Sequence, residues 1–118
     1  MSVEWIKFKG KNILYCNFEG LTDEADILNT LELQKKMMLQ STVPILLMVN
    51  LTGSPMTLEN IPVAKEALSA TTSKLKKIAL VGITGLKTII VKGFEKSTGK
   101  APQQMFDTLE EAKAWLVS

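Results

Sequence analysis

The sequence contains no histidine, no arginine and a single cysteine in 118 residues. Without histidine there is no Ser-His-Asp or Cys-His apparatus, no imidazole general base and no histidine-bearing metal site. The lone Cys16 excludes an internal disulfide, a CxxC redox pair and a thiolate zinc site. It stands in a strand-like stretch and reads as a small buried apolar residue. Without arginine there is no arginine finger, no bidentate clamp on phosphate and no reader of guanine edges. Long hydrophobic runs are missing as well. The longest, Ile45 to Val49, falls far short of the roughly 20 residues that span a bilayer. Met1-Ser2-Val3-Glu4-Trp5 has neither the basic nor the apolar region of a signal peptide, so the cytoplasm is the expected location.

What is present describes an ordinary folded protein. Hydrophobic residues make up 46% and charged residues 22% of the chain, which argues against disorder. The length suits one domain, since domains typically run to about 100–150 residues. Fourteen lysines against 12 acids leave a net charge of +2, too little to imply nucleic acid or an anionic membrane. Lys74, Lys76 and Lys77 form the main basic concentration. They read as a solvated helix end, where cations suit the helix dipole.

The hydropathy pattern alternates strands with helices. Glu4 to Lys9 and Asn12 to Phe18 are short aromatic and β-branched runs with Gly10-Lys11 between them, which predicts a β-hairpin with an edge strand first. Thr22 before Asp23 and Glu24 predicts a helix start. Ala25, Leu28, Leu31, Met38 and Leu39 then mark a core-facing stripe up to about Gln40. Val43 to Leu51 is almost continuously apolar and too short for a typical helix, the mark of a strand buried on both faces. A helix over Ile61 to Leu75 follows, with Asn60 or Thr57 as its cap and Pro62 in its first turn. Lys77 to Ile83 predicts a second buried strand, Leu86 to Lys96 a third helix and Gln104 to Phe106 a minimal edge strand. Asp107 or Thr108 caps a last helix, with Glu110 or Glu111 placed for a capping box and Ala112, Trp115 and Leu116 facing inward. The order β-β-α-β-α-β-α-β-α implies a single α/β domain over residues 1–118, its sheet mostly parallel with one antiparallel strand.

In such a sheet ligands gather at the carboxyl ends of the strands, in loops leading to helix N-termini. Two loops qualify. The first offers Asn50, Thr52, Gly53, Ser54 and Thr57; the second offers Gly82, Thr84 and Gly85, whose glycines free backbone N–H groups. Hydroxyls and free amides at a helix N-terminus suit a phosphate or carboxylate. Neither loop carries a GxGxxG or GxxxxGK[ST] fingerprint. Asp23-Glu24 and Glu110-Glu111 stand in first helical turns, where acids are stabilising without any catalytic duty. No residue is assigned to catalysis or to a metal, and no cofactor is implied.

The element order, the stretch Lys77-Ile78-Ala79-Leu80-Val81-Gly82 and the closing run Phe106 to Leu116, F-D-x-x-E-E-A-x-x-W-L, together resemble the SpoIIAA-like family of STAS-related domains. That resemblance implies an α/β layer fold without an established catalytic activity and a regulatory or protein-interaction role. The best-known relatives are switched by phosphorylation of a serine in a D-S-S-G motif. Laid on the strand end, the motif falls on Asn50-Leu51-Thr52-Gly53, with Thr52 as acceptor. Aligned through the long strand, it falls on Leu58-Glu59-Asn60-Ile61, where the hydroxyl is gone, and this second placement implies a lost switch. Candidate phosphoacceptors are Thr52, Ser54 and Thr57. The expected partner is a protein or a second copy of the chain. A small anionic or lipidic ligand in the carboxyl-end crevice is the alternative.

Overall fold

The computed structural model describes residues 3–54, 60–82 and 101–118. The expected third helix, and Thr57, Thr84 and Gly85 with it, lies outside them. Five strands form one sheet: β1 (Val3–Phe8), β2 (Lys11–Asn17), β3 (Ile45–Asn50), β4 (Leu75–Val81) and β5 (Gln103–Phe106), in spatial order β1-β2-β3-β4-β5. The pairs from β2 through β5 are parallel, and β1 alone runs antiparallel. Among the described residues three α-helices accompany them: α1 (Glu24–Gln40), α2 (Asn60–Thr71) and α3 (Leu109–Leu116).

The hairpin turns one residue earlier than the sequence suggests. Phe8 pairs with Lys11, so Lys9 and Gly10 form the loop, and both have positive φ, +49° and +80°. A two-residue loop of this kind matches the twist of the flanking strands, and an aromatic at position 8 is paired within the sheet while Lys9 turns.

All six residues of β3 are buried, as a strand flanked by parallel neighbours and covered on both faces requires. Its alternation splits the interior in two. Ile45, Leu47 and Val49 meet Leu14, Cys16, Ile78 and Leu80 beneath α1 and α2. Leu46 and Met48 meet Ile13, Ala79 and Val81 beneath α3, which contributes Ala112 and Leu116. Cys16 is fully buried; burial raises its thiol pKa far above the ordinary range, so no nucleophilic thiolate forms there.

Three helix details depart from expectation. The cap of α1 is Asp23, whose Oδ1 accepts from the Ala25 N–H at 2.8 Å; Thr22 lies outside. The buried stripe of α1 is Ile27, Thr30, Leu31, Gln34 and Met38, while Ala25 is exposed and Leu39 is 48% exposed. Two polar residues therefore occupy places that an apolar search passes over. Helix α2 ends at Thr71, and a single 3-10 turn over Thr72–Lys74 leads into β4, two residues before the expected strand start. By contrast, Thr108 caps α3 as the sequence suggests, its Oγ1 accepting from the Glu111 N–H at 3.2 Å.

Helices α1 and α2 are tied at the surface by Lys35 and Glu66, 2.8 Å apart. The hydrogen bond to Glu66 is the main cause that raises the Lys35 pKa above 10.5. A raised folded-state value means that the contribution is whole below the unfolded pKa and vanishes only in strongly alkaline solution.

Gln34 is 3% exposed. Its Nε2 reaches only the Met38 sulfur at 3.9 Å, and its Oε1 has no hydrogen-bond partner. An unsatisfied buried amide oxygen is costly, so the similarly shaped Gln34→Met should stabilise the protein by about 1 kcal/mol. Urea denaturation checks this, and an unchanged or lower midpoint would refute it.

Candidate functional site

The parallel register brings the strand ends into one row: Asn17 opposite Asn50, Asn50 opposite Val81, and Val81 opposite Phe106. Pairing continues past that row into the loops. Phe18 N–H donates to the Asn50 carbonyl at 2.8 Å, Gly20 N–H to Thr52 at 3.0 Å, Leu51 N–H to Val81 at 2.8 Å and Gly82 N–H to Phe106 at 3.3 Å. The exit of β2 thus joins the two loops expected from the sequence as a third partner in the site. Gly20, placed just after a strand that proves parallel, was its one sequence signal.

Asn50 sits at the centre of this zipper and is 3% exposed. Its Nδ2 donates to the Tyr15 hydroxyl at 3.1 Å, and its Oδ1 accepts from the Thr52 N–H at 3.1 Å. Both ends of the amide are therefore committed, one to hold a neighbouring strand and one to turn the loop. Nothing local in the sequence marks Tyr15 for this role, because its contact with Asn50 spans 35 positions.

Ser54, 2% exposed, donates its hydroxyl to the Leu21 carbonyl at 3.2 Å, and its N–H goes to Leu51 at 3.1 Å. It ties the β3 loop to the β2 loop and offers nothing to solvent. A kinase could not reach this hydroxyl without opening the loop. Thr52 and Gly53 are exposed, Gly53 with φ +67°. Of the three candidate acceptors, Thr52 is the one standing on the described surface.

Gly82 has φ +83° and lies directly against Thr52. A Cβ built there would be 2.7 Å from the Thr52 N and Cα atoms and in collision with its Oγ1. Only glycine lets the two loops touch. The expectation that glycine frees an amide here is overturned, because the Gly82 N–H is bonded to Phe106.

The three basic residues read together in the sequence go separate ways. Lys74 donates to the carbonyls of Leu39 and Ser41 at 2.8 and 2.6 Å, closing the end of α1. Lys76 is exposed. Lys77 reaches the end of α3, bonding to the carbonyls of Trp115 and Ser118 at 2.9 and 3.1 Å. Cations do serve helix ends, but two different helices on opposite faces of the sheet. A groove of about 430 Å³ lined by Ser41, Thr42, Val43, Pro44, Ser73 and Lys74 lies before β3 and β4, at the opposite end of the sheet from the candidate loops. Among the described residues no three of Cys, Asp or Glu gather to hold a metal ion, and no described helix is long and apolar enough to cross a membrane.

This arrangement defines a mixed α/β protein built on a five-stranded, mostly parallel sheet. No family model and no curated protein matches the chain. Two solved structures do. A protein of the DUF3478 family from Shewanella loihica, described as having a SpoIIAA-like fold, superimposes with a TM-score of 0.74 over 97% of this chain and 91% of its own, at 15% identity. An anti-sigma-factor antagonist (STAS) domain protein from Planctomyces limnophilus superimposes with a TM-score of 0.68 over 98% of each chain, at 13% identity. The fold of this chain is SpoIIAA-like.

The contact between Gly82 and Thr52 is testable by paired substitutions. Gly10 has nearly the same φ but open space around it, so Gly10→Ala should cost about 1 kcal/mol, the price of the left-handed backbone. Gly82→Ala adds a steric conflict and should cost about 2 kcal/mol more. Equal losses in thermal or urea unfolding would show that the loops do not press together.

Proposed function

We propose that this protein is a non-enzymatic, cytoplasmic regulatory or protein-interaction module that presents the carboxyl-end loops of its sheet to a protein partner, and that the family's phosphoserine switch is lost. The observation that carries this reading is how the described residues at those strand ends are tied to one another. Asn50, Ser54 and Gly82, and the amides of Gly20, Leu51 and Thr52, are all bonded within the chain. Backbone tied in this way at the described strand ends is preorganised and loses little freedom on docking, as suits a protein-binding patch. Among the described residues, the committed amides of Gly20, Leu51, Thr52 and Gly82 weigh against an anion cradle at those positions, since a cradle needs amides that point outward unpaired.

Two further observations support a non-catalytic role. Cys16 is buried with its thiol held protonated. The fold is shared with a protein described as an anti-sigma-factor antagonist (STAS) domain protein.

Affinity capture from the source cell, with the full chain as bait, tests the proposal. The wild-type protein should retain a stoichiometric protein, or a second copy of itself. Thr52→Arg, which changes an exposed side chain in the middle of the patch, should lose it at least tenfold while remaining folded, as cooperative urea unfolding of the variant would show. Capture that survives the substitution would remove the loops from the interface. A small molecule retained in native mass spectrometry would favour the ligand reading instead. Incubation with cell lysate and ATP should leave Thr52 and Ser54 unlabelled, and stoichiometric label on either would restore the switch.

A further inference from the structure

Helix α3 has eight residues, well under the roughly 12–15 that an isolated helix needs even to be marginal. Docking must supply what its length does not. Ala112 and Leu116 are its buried residues, and the ring of Trp115 leans on Phe106 with centroids 5.6 Å apart. The amino-terminal end is self-sufficient: the Thr108 hydroxyl accepts from the Glu111 N–H and donates to Glu111 Oε1 at 2.9 Å. The other end is tied both locally and to the sheet. The Val117 N–H reaches Lys113 at 3.2 Å and the Ser118 hydroxyl reaches Trp115 at 2.6 Å, and two lysines that belong to the sheet add further donors. Lys77, on β4, donates to Trp115 and Ser118, and also to the Ser118 hydroxyl at 3.2 Å. Lys11, at the start of β2, donates to Val117 at 3.1 Å. The Lys77 ammonium also stands 5.0 Å from the centre of the Trp115 ring.

We propose that Lys11 and Lys77 are an electrostatic latch, and that α3 is a cover which opens as a unit when their charge is removed or screened, without unfolding of the sheet. Beneath it lie Ile13, Leu46, Met48, Ala79 and Val81, an apolar floor that the protein hides while the latch is closed. The sheet does not depend on α3 in the same degree. The opposite side of β3 is packed independently under α1 and α2, and the parallel ladder is continuous from β2 to β5. Loss of the cover therefore leaves one complete layer of core and every strand pair in place. This is the arrangement in which a local opening lies below global unfolding. Both lysines act at a helix carboxyl end, where their charge complements the dipole, and the part of the latch in contact with water is open to screening by salt.

Amide hydrogen exchange on the full chain tests the latch. In wild type, amides 112–117 should exchange faster than those of β3. Lys11→Met with Lys77→Met keeps much of the apolar stems and removes both charges. It should accelerate exchange in α3 by about tenfold or more and leave β3 within twofold. Lys77→Arg alone, which keeps the charge, should stay within threefold of wild type in α3. Raising the salt from 0.05 to 1 M should speed α3 in wild type and not in the double variant. Three results would overturn the proposal: acceleration of α3 and β3 by the same factor, no acceleration of α3 in the double variant, or exchange in Lys77→Arg as fast as in the double variant.

Discussion

The parallel pairing of β3 with strands on both sides is the constraint from which the remainder follows. A strand buried on both faces has no freedom of register, because a slip by one residue would exchange its two sets of side chains. Once Ile45, Leu47 and Val49 face one way and Leu46 and Met48 the other, the helices must divide between the two faces. The same register lines up the ends of four strands in a single row. The candidate site is the continuation of that row. Asn50 is both the last residue of β3 and the residue that ties Tyr15 and Thr52 together, so the core and the surface loops are set by one strand.

A protein without arginine or histidine has one kind of cation with which to satisfy buried or half-buried carbonyls. Lys74 and Lys77 each bond to at least two carbonyls. A compact ammonium with three rotatable donors can reach two converging carbonyl oxygens at once. Lysines that look like surface charge in the sequence are thereby part of how two helices end. This also explains why the net charge says so little about partners: some of the positive charge is already turned inward.

The layer order was legible because hydropathy reports burial. The continuous apolar run at Ile45 to Val49, Pro62 in a first turn and Thr108 before two glutamates each announce an element through local chemistry. What was not legible rests on contacts between distant positions. Thr30 and Gln34 are polar residues in a buried stripe, and only the packing of α1 shows it. The hairpin loop depends on positive φ at Lys9, which a lysine does not advertise. At the site, Asn50, Thr52 and Ser54 could be singled out as hydroxyl and amide groups near a strand end. That Ser54 is sealed by Leu21, 33 positions away, and that Gly82 is pressed on Thr52 could not be read from spacing.

The register between β3 and β4 holds a further consequence. Ile45 pairs with Leu75, but the next residue, Leu46, pairs with Lys77, so Lys76 is an extra residue in the strand. That single bulge lets Leu75 point toward the helices α1 and α2 while Lys77 points toward α3, as bulges commonly re-aim a side chain. In a regular strand, Leu75 and Lys77, two positions apart, would share one face. Without the bulge, therefore, either Lys77 would turn into the two-helix core or Leu75 would turn out of it. The spacing of two lysines in the sequence thus carries geometric information that the identity of the residues alone does not.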